Sequence, residues 1–152
     1  MIKIISVGKI KDKALKNLIA EYHKRISHFH QLEIIEVEDL ASDKDPSFNL
    51  KKEAELISRK IKNSDYVILL DLAGVSLDSL TLAKNLNNWQ IKHPSLCFVI
   101  GGSNGVSLPI KERADYLWKL SDLTFPHQLV RLLLLEQLYR SFKINANQNY
   151  HK

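Results

Sequence analysis

The sequence predicts an α/β fold, a mostly parallel sheet covered by helices, and three observations predict it. Segments rich in β-branched residues alternate with segments of helical periodicity along all 152 residues, as chains built from βαβ units do. Tyr66–Leu72 (YVILLDL) and Leu96–Ile100 (LCFVI) are nearly continuous apolar runs, which strands covered on both faces require. No repeat, linker or low-complexity run interrupts the alternation, so residues 1–152 are expected to form a single domain with its own core.

Ile2–Lys9 (IKIISVGK) opens as a buried strand ending near Gly8. Asp12 is placed to cap a helix whose Leu15, Ile19, Tyr22 and Ile26 share one face. His23, His28 and His30 lie on or just after that helix. With no Cys or carboxylate at ligand spacing, they read as surface or packing histidines rather than metal ligands. Gln31–Val37 (QLEIIEV) is a second strand. Glu38–Asn49 is a polar loop, and Ser47 is the expected cap of a helix carrying Leu50, Ala54, Ile57 and Ile61 in one stripe. Lys51, Lys52, Arg59, Lys60 and Lys62 cluster there. A solvated face is the plainer reading of them, and an RNA contact is the other.

Tyr66–Leu72 is the third strand, and Ala73-Gly74 is expected to turn the chain. A helix from about Asp78 to Ile91 packs Leu82, Leu86 and Trp89 inward. Leu96–Ile100 is the fourth strand, followed at once by Gly101-Gly102-Ser103-Asn104-Gly105. A short helix near Pro109–Ala114 leads to a fifth strand, Tyr116–Leu120. Ser121–Phe125 is a tight loop, and Pro126 is expected just inside the start of a long helix, with Thr124 or Phe125 at its cap.

That last helix has an unusual wheel. From Leu129 to Leu135 six of seven residues are apolar and surround the axis, and a polar stripe begins only at Glu136. A helix that is apolar all round is buried all round or spans a membrane. Seven residues fall short of the about 20 that a bilayer needs. The helix is therefore expected to lie between its own core and a second surface. A second copy of the chain is the favoured candidate, and a central core helix in a monomer is the alternative.

The net charge of +5 leans toward a polyanionic partner. Cys97 is alone, which excludes an internal disulfide and a Cys-based metal cage and suits a reducing cytosol. No metal is expected. No apolar window is long enough to span a membrane, and the opening MIKII is interrupted too soon for a signal peptide.

In parallel α/β sheets ligands bind outside the carboxyl ends of the strands. That rule collects Leu70-Asp71, Gly101-Gly102 and Leu120–Phe125 at one edge. The glycine run matches neither the dinucleotide fingerprint nor the Walker A loop. It reads as a tight turn, or as backbone brought close to a flat ligand. Asp71 reads as a turn or capping carboxylate, with help in orienting a ligand as the alternative, and Cys97 reads as an inert strand thiol. His127 can pack or accept a hydrogen bond. His151 ends a polar tail where packing has little claim on it, and a frayed terminus is the plain reading.

Phe98–Gly105 (FVIGGSNG), Leu120–Phe125, Pro126-His127-Gln128 with Val130-Arg131, Glu136-Gln137, Tyr139-Arg140 and the terminal Tyr150-His151-Lys152 resemble the RlmH-type rRNA large-subunit methyltransferases. The likeness runs from Met1 to Lys152 and includes Val7-Gly8-Lys9 and Glu21-Tyr22. Asn149 departs from the Pro or small residue that often precedes Tyr-His there, which bears on the rigidity of the tail.

The resemblance implies a SPOUT α/β-knot fold with a carboxyl-terminal trefoil knot, a homodimer, a cytoplasmic enzyme and S-adenosylmethionine as methyl donor. The acceptor it implies is N3 of a pseudouridine in the helix 69 loop of 23S rRNA, within the assembled 70S ribosome. The cofactor positions it implies are Leu70, Gly101, Leu120, Ser121, Asp122, Leu123, Thr124 and Phe125. On the same footing His151 is expected to accept the N3 proton, and Tyr150 to stack on or hydrogen-bond the base. Lys152 or Arg131 is expected to pair with phosphate, and the tail to complete the site across the dimer interface.

Overall fold

The computed structural model describes residues 1–40 and 45–152, so part of the expected Glu38–Asn49 loop lies outside the described residues. The elements are β1 (Ile2–Val7), α1 (Lys13–Ser27), β2 (Leu32–Val37), α2 (Pro46–Ser58), β3 (Tyr66–Ser76), α3 (Ser79–Lys92), β4 (Leu96–Ile100), α4 (Leu108–Arg113), β5 (Tyr116–Lys119) and α5 (His127–Asn145). The strands form one sheet in the order β2-β1-β4-β3-β5, with every pairing parallel. Among the described residues no helix is long and apolar enough to cross a membrane.

Every residue of β1 and β4, the two central neighbours, is buried. Their side chains alternate between two cores. Ile2, Ile4, Phe98 and Ile100 pack with α1, α3 and α5 on one face. Ile5, Val7, Cys97 and Val99 pack with α2 and α4 on the other. The continuous apolar runs therefore arise because both sheet faces are covered. Burial raises the Cys97 thiol to about 12, with the nearby Asp65 charge adding to it, so the thiol is inert.

The helix starts follow local chemistry. The Asp12 carboxylate accepts from the Leu15 amide at 2.8 Å, as expected. Asp45, not Ser47, caps α2, accepting from the Ser47 and Phe48 amides at 3.0 and 3.4 Å. Pro46 occupies the first turn, where its missing N–H costs nothing, so the cap falls on the residue before it. Ile61 lies beyond the end of α2 but still packs against that core. The basic residues Lys51, Lys52, Arg59, Lys60 and Lys62 are exposed. Pro126 stands at the N-cap of α5, not inside it, and no side chain caps the helix; Thr124 is exposed.

The chain does not turn at Ala73-Gly74. β3 continues to Ser76 through a bulge between Leu70 and Val75, both of which pair with Trp118 of β5. Asp71 shapes the bulge by accepting from the Ala73 amide at 2.8 Å. Gly74 is needed for close approach, because a Cβ there would lie 2.6 Å from the Leu117 carbonyl carbon.

α5 lies between α1 and α3. Leu134, Leu135 and Leu138 are wholly buried, and each such side chain contributes about 1.5–3 kcal/mol. Leu129, Val130, Leu132 and Leu133 are only half-buried. A single chain thus covers the apolar wheel in part.

At the amino edge of the sheet Lys3 and Asp65 form an ion pair at 2.7 Å, both side chains almost wholly buried. Burial opposes ionisation of Asp65, but the Lys3 ammonium and the Lys62 amide outweigh it and hold the carboxyl below its ordinary range. A depressed folded-state pKa stabilises above the unfolded value, and that stability is lost as pH falls through the folded value. Urea unfolding should show Lys3→Met losing about 3–5 kcal/mol at neutral pH, because it strands a buried carboxylate. The double change Lys3→Met with Asp65→Leu should regain much of that loss and shed this part of the acid sensitivity.

Candidate functional site

The bulge of β3 and the carboxyl ends of β4 and β5 meet around a cavity of about 360 Å³, within the range of about 300–1,000 Å³ usual for small-molecule sites. Leu70 and Leu72 line it from β3, Gly101 and Gly102 from the turn after β4, and Leu120, Ser121, Leu123, Thr124 and Phe125 from the loop after β5. Seven of the eight expected cofactor positions therefore share one cavity. Asp122 does not line it: its carboxylate is exposed and pairs with Lys119 at 2.7 Å.

The glycine run is held by contacts within the protein. Gly102 and Gly105 form a short antiparallel bridge, and the Gly105 amide donates to the Gly102 carbonyl at 3.1 Å. Gly105 has φ +81, and a Cβ on Gly101 would collide with Val106 and the Gly105 backbone. A tight turn is what the glycines make, and the turn presents their backbone to the cavity.

Several lining residues escaped the sequence reading. Lys111 of α4 pairs with Asp71 at 3.1 Å at the edge of the cavity. Val106, Val130 and His127 complete the wall. His127 Nε2 is buried and has Asp39 Oδ2 at 3.8 Å. Behind Gly102 lies Glu53, 3% exposed, which accepts from the Leu40 amide at 3.2 Å. Burial raises the Glu53 carboxyl above its ordinary value. No spacing rule joins α2, α4 and the head of α5 in one place, so these neighbours were invisible before the fold.

Arg131 does not reach solvent. It is 1% exposed, with Nη1 on Glu36 Oε1 at 2.5 Å and Nη2 donating to the Gly8 carbonyl at 2.8 Å. The expected phosphate contact is thus excluded for Arg131: its donors tie α5 to the carboxyl ends of β1 and β2.

The tail is anchored at Tyr150. Lys143 donates to Gln148 Oε1 at 2.7 Å, and Asn147 turns the chain with φ 53. The Tyr150 hydroxyl donates to Glu136 Oε1 at 3.2 Å, and its ring meets Tyr139 edge-on at 4.9 Å. Burial, the Tyr22 hydroxyl and the Glu136 carboxylate push the Tyr150 phenol well above its ordinary value, so it stays protonated. His151 lines a second cavity of about 550 Å³ between α3 and α5, with Leu77, Leu80, Leu133 and Gln137. The two cavities share Leu120, Ser121 and Phe125 as a wall. Lys152 is exposed at the end of the chain.

The family model described as "Predicted SPOUT methyltransferase" matches residues 1–151. The chain belongs to the SPOUT methyltransferase family. Among its relatives, the Ribosomal RNA large subunit methyltransferase H of Finegoldia magna is 50% identical over 99% of this chain and 99% of that protein. The protein of the same name from Clostridium botulinum (strain Alaska E43 / Type E3) is 45% identical over the same shares. Among solved structures, the SpoU methyltransferase AviRb of Streptomyces viridochromogenes, in complex with the cofactor AdoMet, matches with a TM-score of 0.45 and 12% identity. That match covers 97% of this chain and 58% of the other.

In this SPOUT family member the head of α5 carries Arg131 inward and His127 to the cavity wall. Arg131→Met should leave the Gly8 carbonyl without its donor and lower stability by about 1–3 kcal/mol, read as an earlier urea midpoint, while exposed Glu36 stays solvated. A surface phosphate ligand would instead leave the midpoint in place and weaken only RNA binding.

Proposed function

We propose that this chain transfers a methyl group from S-adenosylmethionine to N3 of a pseudouridine in the helix 69 loop of 23S rRNA, on assembled 70S ribosomes in the cytoplasm. The observation that carries the reading is the meeting of three strand-end segments, separated in sequence, around one cavity at the carboxyl edge of a parallel sheet. Membership of the SPOUT methyltransferases supports methyl transfer, and the names of the full-length relatives support large-subunit rRNA as the acceptor.

The cavity fits the donor in size and in chemistry. Its walls are largely aliphatic, from Leu70, Leu72, Val106, Leu120 and Val130, which suits an adenine ring and a thioether chain. Backbone at the strand ends and the Ser121 and Thr124 hydroxyls offer polar contacts around that apolar lining. Leu70, Gly101 and Leu120 through Phe125 would hold the donor, Asp122 acting from outside through its pair with Lys119. The bound donor supplies an already activated methyl group on its sulfonium. The protein therefore has mainly to orient it, and orientation alone can supply about 7–11 kcal/mol of the barrier. No metal enters this reading.

Tyr150, His151 and Lys152 would serve the acceptor. Tyr150 is held on Glu136 and can stack on the base or bond to it, His151 meets the ring undergoing substitution, and exposed Lys152 is free to pair with phosphate. The half-buried Leu129, Val130, Leu132 and Leu133 support a homodimer along α5, across which one copy's tail completes its partner's site. The threading of the chain from β5 into α5 is where the implied trefoil knot would lie.

Radiolabelled methyl transfer to 70S ribosomes, prepared with and without the target pseudouridine, tests the reading. Label should enter 23S rRNA only when pseudouridine is present. His151→Ala should lower the rate about 100-fold or more while calorimetry still finds stoichiometric S-adenosylmethionine binding. A chain that binds the donor tightly and labels neither ribosome preparation would refute this acceptor.

A further inference from the structure

Arg140 stands where the tail meets α5, and each of its three guanidinium nitrogens has a partner. Nε and Nη2 sit on Glu136 Oε1 at 3.1 and 2.7 Å, and Nη1 lies 3.2 Å from His151 Nδ1. The guanidinium also covers the Tyr150 ring, 4.8 Å from its centroid. A guanidinium has donors only and keeps its charge at any ordinary pH. The nitrogen that faces it must therefore accept. A neutral imidazole has one acceptor and one N–H, so with Nδ1 accepting, the proton resides on Nε2.

We infer that Arg140 is a positioning residue: it holds neutral His151 as the Nε2–H tautomer, so that His151 donates a hydrogen bond to a carbonyl oxygen of the acceptor base instead of taking up its N3 proton. This rests on the function proposed above and replaces the base role expected of His151 from the sequence. In a uracil-type ring N3 lies between two carbonyl groups. An N–H on either oxygen stabilises the negative charge that appears when N3–H ionises, as oxyanion donors do. The N3 proton passes to solvent, and the electron pair it leaves on N3 forms the new N–C bond. The pair of the broken C–S bond stays on sulfur.

Among the charged groups around His151, the Arg140 guanidinium requires an accepting Nδ1, whereas the Asp78 carboxylate attracts positive charge to the ring. Arg140, paired with Glu136, lies behind it on α5, and Asp78 caps α3 on the opposite side of the cavity. A doubly protonated ring would turn an N–H toward Arg140 and lose that contact.

The test uses the full chain with ¹⁵N-labelled histidine, His151 being assigned by difference from His151→Gln. At neutral pH the wild-type spectrum should show an unprotonated Nδ1 and a protonated Nε2, and Arg140→Met should mix the two tautomers. His151→Gln keeps an amide donor near the Nε2 position but has no basic nitrogen. It should hold methyl transfer to 70S ribosomes within about tenfold of wild type, where His151→Ala loses about 100-fold or more. Arg140→Met should slow the wild type yet add little to His151→Gln, since the amide has no tautomer to fix. A predominant Nδ1–H tautomer in the wild type, or a Gln variant as slow as the Ala variant, would overturn the inference. A wild type that labels no ribosome would sink the proposed function instead, and the spectrum would still decide the tautomer.

Discussion

The arrangement depends most on the buried guanidinium of Arg131. Taking a charge out of water costs several kcal/mol unless it is paired and hydrogen-bonded. Here Glu36 supplies the counter-charge at the carboxyl end of β2, and the Gly8 carbonyl supplies an acceptor just after β1. These contacts fix both the height and the rotation of α5 over the sheet. The loop that precedes α5 is thereby pressed against the strand ends, and the tail that follows it is set against α3. One ion pair, 95 residues apart in sequence, aligns the two ends of the candidate site.

α5 serves two surfaces at once. Its inner side, through Leu134, Leu135, Leu138 and Phe142, closes the core over β1 and β4. Its outer side leaves Leu129, Val130, Leu132 and Leu133 half covered, and Leu72, Val75, Leu80 and Leu123 stand exposed on neighbouring segments. Scattered exposed apolar residues are ordinary, but these belong to the segments that frame the two cavities. The same helix then changes character within one turn. Glu136 and Arg140, four residues apart and so on one face, replace the leucines and take hold of Tyr150 and His151.

Much of this was legible in the sequence where one physical requirement acted alone. Strands buried on both faces must be apolar throughout, and Leu96–Ile100 was placed to the residue. Asp12 and the Leu15–Ile26 stripe could be read because caps and amphipathic faces are local. The misreadings arose where two requirements competed. Ser47 lost the cap to Asp45 because Pro46 claims the first turn. Gly74 looked like a turn, but its missing side chain admits the backbone of β5, a neighbour more than 40 residues away that no local pattern reveals. Arg131 looked like a phosphate ligand because arginine on a basic chain usually is exposed; only the position of Glu36 across the fold makes it a buried clamp. At the candidate site, the three strand-end segments could be collected by topology alone, whereas Lys111, His127 and Glu53 required the packing of α4, α5 and α2.

The division of labour at the site follows from the same contrast between local and distant requirements. The strand-end cavity is lined mainly by aliphatic side chains and backbone, groups that hold a ligand without exchanging protons with it. Its titratable groups stand at the edge, Asp71 paired with Lys111 and His127 beside them, while Tyr150 and His151 stand on the tail. Orientation of reactants can supply about 7–11 kcal/mol, and a single general base about 10²–10⁴-fold in rate, so a rigid cavity contributes more than a base to a transfer whose group is already activated. What the tail must then provide is a fixed donor rather than a mobile one. Tyr150 is kept protonated by burial and by its neighbours, and Arg140 can only donate to the imidazole beside it. The Tyr150 proton is thereby committed to Glu136, and the Nδ1 lone pair of His151 to Arg140.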